Sequence, residues 1–168
     1  MLTYHPSLDT YHCFFRVIYF LSHAEDKSYD VDMIRIIDFY LSAPTALRSF
    51  KFPVELRSKR KIFSDKVNDY NDIQNQSSLF FEMKHIHNAV LHMLVSIGLI
   101  DGDKFRNGSI CLSKDQIPRE LSRIIDNSTS IDNDVMDFSV NVLAKIPLLG
   151  AGGLKDRSGL MDHRYDLV

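Results

Sequence analysis

Residues 31–42, VDMIRIIDFYLS, restrict the possible folds more than any other stretch of the chain. Met33, Ile34, Ile37, Tyr40 and Leu41 recur at helical spacing, and Ile36 and Phe39 carry the apolar surface further round. Only Asp32, Arg35, Asp38 and Ser42 remain polar. A helix apolar over most of its circumference must be packed on several sides. Asp30 or Asp32 offers an N-cap. Pro44 ends the helix, because the residue before proline is pushed out of the α region.

The segments on either side supply the packing. Phe14, Val17, Ile18 and Leu21 predict a helix over 11–22, with Pro6 and Asp9 as turn and N-cap before it. A polar loop, 23–30, follows. A short helix near Ala46–Phe50 leads into a basic stretch ending SKRKIF, and 64–76 reads as an exposed connector. Residues 77–97 predict two helices, or one kinked near Lys84–His85. Ile86, Ala89, Val90, Met93, Leu94 and Ile97 mark the second part, and Gly98 follows as C′ cap. Within residues 105–112, Asn107-Gly108 is the strongest hairpin signal, since both residues can take the positive φ of a type I′ turn. Helices near 118–125 and about 132–146 complete the pattern, and Pro147 stops the second.

The expected class is mostly α with a small β-hairpin: a winged-helix-like core with extra N- and C-terminal helices. One domain with an N-terminal arm would span 1–147. Residues 148–168 would be a flexible or partner-docked tail. With 168 residues, 45% of them hydrophobic, the chain can bury a real core. A net charge of -2 means that any nucleic-acid contact must come from a local patch. The two cysteines, Cys13 and Cys111, have apolar neighbours and read as buried small hydrophobes in a reducing compartment. No apolar run approaches the ~20 residues that cross a bilayer, and no signal segment opens the chain. A soluble, cytoplasmic protein without membrane contact is expected.

The opening MLTYHPSLDTYHCFFR carries two Tyr-His pairs, Tyr4-His5 and Tyr11-His12. His5, Asp9, His12 and Cys13 suggest a metal centre. No second cluster completes a ligand set, and His12 and Cys13 would sit about 100° apart on a helix start. The better reading is an arm that seats the first helix and contacts a partner through Tyr4, His5, Tyr11, His12 and Arg16. His85, His87 and His92 read as partly exposed helix histidines. The glycines of 150–153 follow a helix rather than a strand, which makes them a flexible linker and not a phosphate loop. No nucleophile has an elbow context, so no catalytic residue, metal or cofactor is assigned.

Arg48, Lys51, Arg57, Lys59, Arg60 and Lys61 are opposed only by Glu55. They are a solvated surface, a phosphate contact or a face for an acidic partner. The helix before the expected wing has no Arg or Lys beyond Lys84 at its border. His85, His87, Asn88, His92 and Ser96 would point outward, a poor surface for reading bases. Such a wing suits protein docking.

Tyr4-His5-Pro6, Asp9, Tyr11-His12-Cys13 and Phe15-Arg16 resemble the opening of the middle components of bacterial ABC three-component systems. The run from Ile34 to Tyr40, then Pro44 and Phe52-Pro53, is similar to the next block. Leu79-Phe80, Met83, Ala89, Leu94 and Gly98-Leu99-Ile100 are similar to the third. The resemblance covers about residues 4–113. It implies a small adaptor subunit of a Lamassu-type antiphage or antiplasmid complex. Its implied partners are an SMC/Rad50-like ATPase and an effector, often a nuclease, with DNA contact within the complex and catalysis left to the partners. The apolar faces of helices 11–22 and 31–42 exceed what one small core needs and would supply docking surface. Two rivals remain: a free winged-helix DNA-binding regulator, and a small metalloenzyme using His5, His12 and Cys13.

Overall fold

The computed structural model describes residues 5–25, 28–66 and 75–161. Helix α1 spans Thr10–His23, strand β1 Tyr29–Asp30 and helix α2 Val31–Ser42. Both helices are capped from the sequence. The Asp9 carboxylate accepts from the His12 N–H at 2.9 Å, and the Asp30 carboxylate from the Asp32 N–H at 2.8 Å. In α2 every residue from Met33 to Leu41 is buried, Arg35 and Asp38 included. The surplus apolar surface expected for docking is therefore consumed inside the domain, because α2 is wrapped on all sides and α1 buries most of its length from Cys13 onward.

Pro44 ends α2 and opens a 3-10 turn over Pro44–Ser49 in place of the short helix expected nearby. The basic stretch forms a second 3-10 turn, Val54–Lys59, and then α3, Arg60–Ser64. Beneath it lies an aromatic cluster. Phe50, Phe52, Phe63 and Phe138 pack at centroid distances of 5.2–6.2 Å, and Tyr40 of α2 meets Phe50 at 5.8 Å.

Residues 77–97 resolve into α4, Gln76–Glu82, and α5, Lys84–Ser96, with the break at buried Met83. At the end of α5, Gly98 takes φ +80°. Its N–H reaches Val95 O at 3.0 Å, and the Leu99 N–H reaches Leu94 O at 2.9 Å, a Schellman stop. The next residues depart from the expected hairpin. The Asp101 side chain caps a short helix α6, Gly102–Arg106, so the first expected strand is helical. Asn107 keeps φ -91° and only Gly108 is positive, which excludes a type I′ turn. Strand β2, Ser109–Ile110, pairs antiparallel with distant β1, Tyr29 opposite Ile110 and Asp30 opposite Ser109. A bridge between Ile100 and Leu112 closes the excursion. The fold is mostly helical with one two-stranded antiparallel sheet.

Helices α7, Arg119–Asp126, and α8, Asn133–Asn141, follow. The second ends earlier than expected because Val142 leaves helical geometry, and a 3-10 turn, Leu143–Lys145, completes it. Helix α8 packs on α1 and α2, and α1 also packs on α5. Lys66 joins the start of α8 through Asp132 at 2.6 Å and Asp134 at 2.8 Å.

The glycine run does not act as a loose linker. It folds the chain back into α9, Leu154–Ser158, whose Leu154 is fully buried. A Cβ on Gly153 would lie 2.5 Å from the Leu149 carbonyl oxygen, so the turn requires glycine there. Lys155 then pairs with Asp32 of α2 at 2.7 Å. The N–H groups of Leu154 and Lys155 are taken by the carbonyls of Pro147 and Leu148, leaving no open phosphate cradle.

Candidate functional site

Among the described residues, a cluster of chemistry-bearing side chains lies between α1, α2 and α5. Asp38 is almost fully buried and accepts from Arg16 twice, Nε to Oδ1 at 2.7 Å and Nη2 to Oδ2 at 3.0 Å. His87 Nε2 reaches Oδ2 at 2.9 Å, and the Cys13 thiol donates to the same oxygen at 3.5 Å. This geometry requires the His87 proton on Nε2. Its Nδ1 then has no hydrogen-bond partner among the described residues, nor has the buried Tyr40 hydroxyl.

Burial by itself would raise the Asp38 carboxyl. The Arg16 charge and the hydrogen bonds from His87 and Arg16 outweigh it and hold the group well below the usual carboxylate range. Burial opposes the Arg16 cation, and the Asp38 carboxylate more than offsets that, leaving the guanidinium above its ordinary value. Burial, reinforced by Asp38, pushes the Cys13 thiol far up.

Burial and the hydrogen bonds to Asp38 limit what the cluster can do. A thiol held protonated, fully buried and hydrogen-bonded to a carboxylate is no nucleophile. His87 engages Asp38 and not the sulfur, so no base is aimed at Cys13. Among the described residues, metal-donor atoms converge at Cys13, Asp38 and His87, all within 4.8 Å of one another. Arg16 already binds both carboxylate oxygens, and its fixed positive charge opposes a cation there. The arrangement fits a buried ion pair that locks three helices in register.

The residues of the opening motif separate in space. Tyr4 lies outside the described residues. His5 is half-buried, and its Nδ1 accepts from the Ser7 N–H at 3.3 Å. The Ser7 hydroxyl bonds Ser42 at 3.0 Å, and Arg16 Nη1 reaches Pro6 O at 3.5 Å, so the arm is fastened to α1 and α2. Tyr11 and His12 face outward, Tyr11 82% exposed. Arg16, grouped with the partner-facing residues in the sequence, is instead buried against Asp38 because α2 presents an uncompensated carboxylate to it. His5, His12 and Cys13 do not converge as a metal site would require. Of the three later histidines, His85 and His92 are exposed, whereas His87 is buried. It shares a stripe with Val90, Leu91 and Leu94 at i, i+3, i+4, i+7, a signal the sequence carried.

The basic stretch faces outward. Arg48, Lys51, Arg57, Arg60 and Lys61 are exposed and Lys59 half-buried. Lys51 pairs with Asp156 at 3.1 Å. Arg60 donates to Phe50 O at 3.2 Å and lies over the Phe52 ring at 5.7 Å. Arg157, which the sequence reading did not single out, joins them from α9. No helix among the described residues is long and apolar enough to cross a membrane.

One family model matches this chain, over residues 2–166, and it describes the ABC-three component (ABC-3C) system Middle Component 5. No curated protein and no solved structure matches.

Proposed function

The chain belongs to the Middle Component 5 family of ABC-three component systems, and from that premise we propose that it is a non-enzymatic adaptor. A middle component of a multi-subunit system has partner subunits. The partners we propose are an SMC-like ATPase and an effector, often a nuclease, in a Lamassu-type antiphage complex in the cytoplasm. The observation that carries this reading is the extent of the family match, which takes in nearly the whole chain.

The geometry supports it in two ways. The Cys13–Asp38–His87 cluster is sealed and serves the packing of three helices, so the densest set of reactive side chains is unavailable to a substrate. The exposed large apolar residues include Tyr11, 82% exposed, and Phe81, 62% exposed, which are surface for a partner. The order α1, β1, α2, α5 and then the Ile100–Leu112 pair also supports a winged-helix-like core. On α5 the outward surface is His85, Asn88, His92 and Ser96, with Lys84 at the first position its one cation, which favours docking on protein over reading bases.

Co-expression with the products of the neighbouring genes tests the proposal. The adaptor reading requires this chain to co-purify with a long coiled-coil ATPase. A lone, stable monomer beside neighbours that assemble without it sinks the idea.

A further inference from the structure

We propose that the open groove between the basic segment and α9 holds the phosphodiester backbone of a nucleic acid without regard to sequence. The groove encloses about 590 Å³, with Lys51, Arg57, Arg60 and Arg157 set around Phe52 and Val54. Arg157 stands 106 positions after Lys51 and reaches it only because α9 folds back. The two residues clasp each other through the main chain. The Lys51 N–H donates to Arg157 O at 2.9 Å, and Arg157 Nη1 donates to Lys51 O at 2.8 Å. Arg157 Nε adds a bond to Gly152 O at 2.6 Å.

Two of the guanidiniums are therefore fixed before any ligand arrives, Arg157 by two carbonyls, Arg60 by Phe50 O and the Phe52 ring. The side-chain freedom that a floating surface arginine loses on binding is already lost in folding. Arg57 makes no ion pair with any of the described residues and is exposed. The acidic side chains nearby are Asp156, occupied by Lys51 at 3.1 Å, and Glu55 on the same 3-10 turn as Arg57. The whole fork of Arg57, which matches phosphate oxygens bidentately, thus remains for an external anion, beside the N–H groups of Arg60 and Arg157 that their carbonyl bonds leave unused.

The shape favours a polymer over a free anion or an acidic protein face. Lys59 and Lys61 continue the positive charge beyond the groove along the same segment. Val54, 71% exposed, gives an apolar step beside the cations that a sugar or base face can cover. All this sits on a molecule of net charge -2, so the attraction is local.

The site stands apart from the adaptor role, and its test uses the full chain alone, so a failed complex and a failed groove are told apart. Two short labelled DNA duplexes of unrelated sequence are titrated by fluorescence anisotropy. Equal affinities are expected, falling roughly 40-fold between about 50 and 200 mM salt for three neutralised phosphates. Arg57→Ala should weaken binding about tenfold and lower the salt slope by about 1. Arg123→Ala, an exposed cation on α7, should change nothing. Circular dichroism of each variant verifies folding. No binding, binding unchanged by Arg57→Ala, a preference for one duplex, or equal competition by poly-glutamate overturns the proposal.

Discussion

Asp38→Asn removes one charge and almost no volume, and the structure says what that costs. Arg16 is 6% exposed, and Asp38 is the carboxylate bonded twice to its guanidinium, with Asp9 a smaller contribution to its charge balance. Stranding a buried charge by removing its partner costs about 3–5 kcal/mol. Against a total stability of about 5–15 kcal/mol that is a large share. For a chain of this size it lowers the melting temperature by roughly 6–20 °C. Urea titration followed by far-UV circular dichroism reads the free energy, and a thermal melt reads the temperature. The companion variant is Arg16→Met with Asp38→Asn, which removes both charges, leaves an amide oxygen to accept from His87, and should recover most of the loss. Should the single variant fail to fold, recovery in the pair carries the same information. Additivity of the Arg16 and Asp38 variants to within about 0.5 kcal/mol would refute the reasoning. The pH dependence follows with a definite sign. Folding lowers the Asp38 carboxyl below its unfolded value of about 3.9. Its contribution is therefore complete above about pH 4 and falls away as acid drives the pH down toward the folded value. Asp38→Asn should lose that acid-side slope.

Thiol labelling of the native protein should modify one cysteine, half-buried Cys111, and leave fully buried Cys13 untouched until denaturant is added; rapid native labelling of both contradicts the sealed cluster. Gly153→Ala should destabilise by about 1–3 kcal/mol in the same urea assay, through collision with the Leu149 carbonyl, whereas a neutral result would return the glycine run to the status of a linker. Leu154→Ala should cost about 2–5 kcal/mol if α9 is part of the core, and a cost near zero would mean that α9 is only loosely attached.

The sequence showed clearly the helices whose apolar residues repeat, their Asp9 and Asp30 caps and the glycine stop at Gly98. It misled where a polar residue joins an apolar stripe. Histidine is polar by composition, so the sequence places His87 on the solvent face, and this displaces the buried stripe of α5. Met83, Val90, Leu91 and Leu94 are buried, while Ala89 and Ile97 are exposed. Arg16 reads as outward-facing for the same reason, since its burial depends on a carboxylate that arrives from another helix. The β1–β2 pairing joins strands of two residues each across the length of the domain, and no local period announces it. Arg157 belongs to the basic groove only through a glycine turn whose close approach is a tertiary property. Each of these features depends on contacts between segments far apart in the chain.

The proposed adaptor role assigns assembly to this subunit and leaves chemistry to its partners. Its most direct test is to measure the effector activity of the co-expressed complex with the chain omitted and then restored. The account predicts that omission abolishes regulated activity. It also predicts that a chain with Tyr11, His12, His23, His85 and His92 replaced by alanine singly, the exposed tyrosine and histidines among the described residues, fails only when it fails to assemble. A variant that assembles at full stoichiometry and yet loses activity would place chemistry in this chain and contradict the account.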